Sequence, residues 1–270
     1  MKKEIIITVA PVPGEKQEER YPGPLDVAAE VIRCEAAGAA IVHLHARDEK
    51  LLQTVDPALF SQQVRRIRKA CPIILEGSTG GAPEHTLEQR CVTFSAPEVQ
   101  IGSLNLGSVN MADGVYQNRY QDICFYARKL RAAGITPIMY VFDLSHLINF
   151  RRLVEAGELT PPYVFEFVFD VPAALPYADR YLELFVDHLP PAAIWFCVRH
   201  HQKGAADLRQ AIELGGHIRV GFEDSPFLSN GRRARNNIEL VQDAVAEADK
   251  AGRMVVRAAR AREIIGLKPL

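Results

Sequence analysis

Long apolar runs are missing from this sequence. None approaches the roughly 20 residues that a membrane-spanning helix requires, and Ile5-Ile6-Ile7-Thr8-Val9-Ala10 near the start is far too short. No small-residue cleavage pattern follows that run, so it reads as a first strand rather than a signal. Runs of like charge are missing too. A formal net charge of -1, with no long stretch of Lys or Arg, excludes nucleic acid and anionic membrane as expected partners. The basic cluster Arg232-Arg233-Ala234-Arg235 is short and reads as a solvated helix start. The five cysteines are odd in number and never form a Cys-x-x-Cys pair, which excludes a disulfide framework and points to reduced core residues in a cytoplasmic protein. No linker, low-complexity segment or short repeat divides the chain, so a single domain over 1–270 is expected.

What remains is a composition, 48% hydrophobic and 24% charged, able to bury a large core. Apolar segments of strand and helix character alternate through it. Strands are expected at Ile5–Ala10, Ile41–Asp48, Ile73–Glu76, Val99–Asn105, Thr136–Phe142, Tyr163–Phe169, Ala193–Val198 and His217–Phe222. Between and after them, helical spacing covers Leu25–Ala37, Pro57–Ala70, His85–Phe94, Gln117–Ala133, Asp143–Glu155, Ala178–His188, Ala205–Leu214 and Asn236–Ala251, with a short final helix over Val255–Ile265. Eight such units in this length predict a single α/β domain, a (β/α)8 TIM barrel. An open doubly wound sheet is the other arrangement weighed. It would carry a glycine-rich dinucleotide turn after the first strand, where this chain has prolines and charges over residues 11–24, a long polar connection and a lid candidate.

The chemistry is expected at the second strand. In Ile41-Val42-His43-Leu44-His45, side chains alternate faces, so His43 and His45 point the same way and could bind one metal. On the eighth strand His217, Arg219, Gly221 and Glu223 share a face, and strand ends eight and two lie close in a closed barrel. Glu223 is therefore the expected third ligand, with Asp224 beside it as a base and Arg219 as a positive charge for that base or for a substrate carboxylate. Each element also has a plainer reading, as core histidines or a helix cap. Buried together, these groups would be costly without a metal or ligand. The turn Gly77-Ser78-Thr79-Gly80-Gly81 could present backbone N–H groups to an anion, and Ser103 and Asn105 share a face of the fourth strand. His200-His201 is read as loop chemistry at most, because adjacent residues point apart.

These motifs, in this order, resemble the β-keto acid cleavage enzymes, the family typified by 3-keto-5-aminohexanoate cleavage enzyme. The likeness runs from Ile7-Thr8-Val9-Ala10 through Ser103-Leu104-Asn105-Leu106-Gly107 and Phe142-Asp143-Leu144-Ser145-His146 to Arg219-Val220-Gly221-Phe222-Glu223-Asp224. The resemblance implies a zinc-containing, homo-oligomeric barrel that converts a β-keto acid and acetyl-CoA into acetoacetate and a new acyl-CoA. It places Zn²⁺ on His43, His45 and Glu223, with Asp224 as base supported by Arg219 and Ser78. Substrate contacts are expected from Thr79, Gly80, Ser103, Asn105 and Tyr140. Where the family commonly has Pro-Glu-x-Glu, this chain has Pro137-Ile138-Met139-Tyr140, so Tyr140 predicts an uncharged or aromatic-tolerant substrate tail. The turns after strands six and seven also depart from the family pattern. They motivate two alternatives: a metal-dependent carbon–carbon lyase or hydrolase that uses no CoA, and a non-catalytic metal-binding barrel for a small carboxylate.

Overall fold

The computed structural model describes residues 3–13, 25–82, 84–200 and 207–268. Eight parallel strands close into a barrel: β1 (Ile7–Val9), β2 (Ile41–Leu44), β3 (Ile74–Gly77), β4 (Ile101–Asn105), β5 (Thr136–Val141), β6 (Val164–Phe169), β7 (Ile194–Arg199) and β8 (His217–Val220). Neighbours in the chain are neighbours in the barrel, and β8 pairs with β1, Arg219 standing opposite Thr8. The expected fold is the one observed.

Helices α1 (Val27–Ala37), α2 (Pro57–Ala70), α3 (Leu87–Arg90), α4 (Tyr120–Ala133), α5 (Leu144–Glu155), α6 (Asp179–Asp187), α7 (Arg209–Glu213), α8 (Asn237–Lys250) and α9 (Ala258–Ile265) accompany the strands. Local chemistry sets several of their ends. Asp143 caps α5 by accepting from the Ser145 N–H, and Gly134 ends α4 in the left-handed conformation. Departures from expectation are local. Residues 85–94 split into α3 and a 3-10 turn at Val92–Ser95, where Thr86 and Gln89 form a capping box. Val255, expected to open the last helix, pairs instead with Ile5, and that helix begins at Ala258. After β4 a hairpin not anticipated from the sequence, Val109–Met111 against Gly114–Tyr116, rises beside the barrel. From residue 14 onward, the segment read as a lid lies outside the described residues, as does His201.

Two apolar layers follow from the period of two along each strand. Ile41, Ile74, Ile101, Ile138, Val164 and Phe196 fill the barrel interior, while Val42, Leu75, Leu104, Met139, Phe165 and Cys197 pack outward beneath the helices. The same parity turns His43, Glu76, Ser103, Tyr140, Glu166 and Arg219 inward above the interior isoleucines and valines. A polar layer thus rests on an apolar one. No described helix is long and apolar enough to cross a membrane.

Candidate active site

Strand register builds the site. His43 stands opposite Glu76 on β3, and Tyr140 stands opposite Glu166 on β6. His43 Nδ1 lies 2.9 Å from Glu76 Oε1, so the ring donates there and keeps its Nε2 lone pair free to bind. That Nε2 is 3.3 Å from His45 Nε2, and Glu223 Oε1 is 3.6 and 3.5 Å from the two nitrogens. Ligand atoms about 2.1 Å from a tetrahedral zinc ion stand roughly 3.4 Å apart, so this triangle matches one face of such a site. Two imidazole nitrogens held this close call for a shared cation or proton between them.

The surrounding charge agrees. Glu166, Glu223 and Asp224 all pair with one buried guanidinium, that of Arg219, and Glu76 is buried against His43; carboxylates crowded this way are penalised by burial without a cation or added protons. Arg219 donates to Asp224 through Nε and Nη2, both at 2.9 Å, and its Nη2 also reaches Glu223 Oε1 at 2.6 Å. Its Nη1 donates to Tyr140 Oη at 2.8 Å and Glu166 Oε1 at 3.0 Å. Burial pushes the Glu223 carboxyl up, but Arg219, His43 and His45 outweigh it and hold it well below the usual range. Glu166 goes the other way. Burial, reinforced by Glu76 and Asp224 against the pull of Arg219, raises it to about 8, and its Oε2 has no hydrogen-bond partner.

A cavity of about 380 Å³ opens over this cluster. That is within the roughly 300–1,000 Å³ common for small-molecule sites. His43, His45, Glu223, Arg219, Ser78, Gly80, Ser103, Asn105 and Tyr140 all line its wall. Two others do not. Thr79 is fully buried, its hydroxyl bonded to Ser103, which corrects its expected role as a substrate contact. Asp224 is 1% exposed and stands behind Arg219 rather than on the wall. The glycine-rich turn is also less open than an anion cradle. The Thr79 N–H donates to Ser103 Oγ at 2.8 Å and the Gly80 N–H to Ser78 Oγ at 3.0 Å.

Several contributors went unnoticed in the sequence. His200, read from the sequence only as loop chemistry, stands in the loop after β7 and lines the cavity with its Nε2 3.3 Å from Asp224 Oδ1. Glu76 and Glu166 were within strands already recognised, and counting by twos from Ile74 and Val164 would have turned both inward. Arg90 carried no such signal. Buried under the glycine-rich turn, it donates to Thr79 O at 2.9 Å, Tyr116 Oη at 2.7 Å and Asn118 Oδ1 at 2.8 Å, tying the turn to the hairpin.

With this geometry in place, comparison with known proteins becomes specific. The family model of the beta-keto acid cleavage enzymes matches residues 4–267. The chain belongs to the β-keto acid cleavage enzyme family. It is 32% identical over 273 residues to the 3-keto-5-aminohexanoate cleavage enzyme of Acetoanaerobium sticklandii, covering 98% of this chain and 99% of that one. To the 3-oxoadipate:acetyl-CoA acetyltransferase of Cupriavidus necator it is 32% identical over 252 residues, covering 90% of this chain and 88% of the other. Among solved structures, apo ObcA superposes with a TM-score of 0.69 at 21% identity, over 89% of this chain. This chain spans 64% of the ObcA chain, and the likeness concerns the fold. As a member of the β-keto acid cleavage enzyme family, the protein is an enzyme that cleaves carbon–carbon bonds, and its His43, His45 and Glu223 form a possible metal site.

Proposed function

We propose that the protein is a zinc-dependent β-keto acid cleavage enzyme that takes acetyl-CoA as co-substrate and yields acetoacetate and a new acyl-CoA. The observation that carries this reading is the convergence of His43 Nε2, His45 Nε2 and Glu223 Oε1 on one point of the cavity, beside the Arg219–Asp224 pair. Zn²⁺ held by those three groups would act as a Lewis acid toward the ketone and carboxylate oxygens of a β-keto acid, making its C2 proton more acidic.

Around that point the chain's own groups have distinct tasks. Asp224 receives the C2 proton, relayed by His200, which faces the cavity with its Nε2 3.3 Å from Asp224 Oδ1. Arg219 holds Asp224 in orientation through two parallel hydrogen bonds. Ser78 Oγ accepts from the Gly80 N–H, which leaves its own hydroxyl proton to donate to a substrate oxygen. Glu76 fixes the tautomer of His43, and Tyr140, donating to Glu76 Oε1 at 2.7 Å, braces that pair rather than probing the substrate's tail. The deprotonated C2 then attacks the acetyl thioester. CoA transfer and retro-Claisen cleavage complete the exchange.

The test is a panel of β-keto acids incubated with acetyl-CoA, with acetoacetate and the new acyl-CoA quantified together. Expected are equimolar products from at least one acid and about one zinc per chain. Asp224→Asn should retain the metal and lose turnover by roughly 100- to 10,000-fold. No acetoacetate from any acid would overturn the reading.

A further inference from the structure

We propose that the side of the cavity facing away from His43, His45 and Glu223 is a specificity wall for an uncharged, apolar substrate tail; this rests on the β-keto acid reading above. The topology separates the two sides. In a closed barrel of eight strands, β6 lies four strands from β2, and β4 lies four strands from β8. The metal-binding groups sit at the ends of β2 and β8. Across from them the cavity is lined by Phe142 beyond β5, Val168 on β6, Val171 and Pro172 beyond it, and Met111 and Ala112 of the hairpin after β4. A keto acid whose carboxylate and ketone face the histidines therefore extends its other end onto this wall.

The wall runs from the deep interior to the rim, Val168 being 1% exposed and Met111 39%. It is also firmly built. The Ala112 N–H donates to Pro172 O at 2.8 Å, joining hairpin to loop. Ala112, Asp170 and Ala173 hold φ of 50°, 63° and 70°, conformations that residues with a Cβ seldom adopt. Strained backbone of this kind persists where surrounding structure imposes it, often at ligand clamps.

Charge is directed away from the wall. Arg47, Arg219 and Glu223, the charged side chains among the described cavity residues apart from the histidines, stand at the ends of β2 and β8. Asp170, next to the wall in sequence, receives Arg199 Nε at 2.7 Å and the Tyr177 N–H at 2.8 Å. An ammonium or carboxylate on the substrate tail would thus lose water against Val168 and Val171 and meet no counter-ion among the described residues of the wall. Methylene groups would gain there. The names of the two relatives above carry a tail amine and a tail carboxylate, so the chemistry proposed here differs from both.

The experiment measures kcat/KM of the purified protein, with acetyl-CoA, for 3-oxopentanoate, 3-oxohexanoate, 3-oxooctanoate, 3-oxoadipate and 3-keto-5-aminohexanoate. Expected is a rise of roughly fourfold per methylene until the wall is covered. Both charged-tail acids should fall at least about tenfold below 3-oxohexanoate. Met111→Lys, at the exposed rim, and Val171→Asp, deeper, should shift the ratio of charged to apolar acids by about fivefold or more, toward 3-oxoadipate and 3-keto-5-aminohexanoate respectively, with KM for acetyl-CoA unchanged. A charged acid preferred by the unaltered protein overturns the wall. So does a rise in KM for acetyl-CoA with the acid ratio unmoved, since the wall would then serve the thioester. If no acid yields acetoacetate, the functional reading fails instead. Calorimetric binding of 3-hydroxyhexanoate against 3-hydroxyadipate then decides the wall alone, with preference for the apolar acid supporting it and equal or reversed affinity overturning it.

Discussion

Glu76 and Glu166 have opposite electrostatic fates although both are buried carboxylates in one layer of the barrel. For Glu76, burial pushes the pKa up, but His43, Arg219 and Tyr140 bring it below its ordinary value. It therefore serves as the anionic brace of His43. Glu76→Gln preserves shape but weakens the pull on the His43 ring, and metal affinity measured by competition with a chelator should fall about 10- to 100-fold. Glu166 is raised to about 8. A carboxyl that keeps its proton in the folded state but loses it near 4.5 when unfolded makes the native protein bind more protons between those values. Stability is then full below about 4.5 and is lost as pH rises toward about 8. Glu166→Gln should flatten this decline, so that melting temperatures of variant and unaltered protein diverge in the variant's favour as pH rises from 5 to about 8. Parallel pH profiles would contradict the assignment.

Among the elements, the turn after β8 decides whether Glu223 and Asp224 arrive where they are needed. Gly221 has φ 148°, and a Cβ there would meet Ala10 O at 2.1 Å and its carbon at 2.6 Å. Asn237 at the start of α8 then fastens the turn, accepting from the Phe222 N–H at 3.0 Å and donating to Pro11 O at 3.1 Å. Gly221→Ala must displace either backbone. It should cost about 2 kcal/mol or more in urea unfolding and lower turnover beyond what stability explains. The strand of His43 and His45 is simpler, since its period of two already aligns the rings. The hairpin after β4 is the element least visible beforehand. Its strands are three residues each, with Gly114 at the turn, and its position is set by Arg90 and by the bond to Pro172 rather than by local pattern.

At the scale of the whole molecule, His43, His45 and Glu223, which could hold a metal ion, bring together chain segments separated by about 180 residues, across the seam where β8 meets β1 and β1 meets β2. A cation bound to the native state alone adds stability by mass action, about 2.7 kcal/mol at a free concentration 100 times its Kd. Removal with a chelator should lower the melting temperature, and readdition of Zn²⁺ should restore it. Chelation should lower the melting temperature of His45→Ala far less, because one of three ligands is gone. A melting temperature indifferent to chelator in both proteins would count against a structural contribution from the site.

Much of this was legible in the residues themselves. Eight alternations of strand and helix character, the parity of His43 and His45, and the glycine that frees Glu223 are local patterns, and local sterics and side-chain alternation determine them. The closed barrel then follows from short right-handed connections. Tertiary structure alone decided the rest. Inter-strand register set Glu76 beside His43 and Glu166 beside Tyr140, and packing drew Asp224 behind Arg219 with His200 in front. It likewise buried Thr79 and carried the hairpin over the cavity. These outcomes depend on which strand lies next to which, and on competition for few partners in a low-dielectric interior, neither of which any single segment encodes.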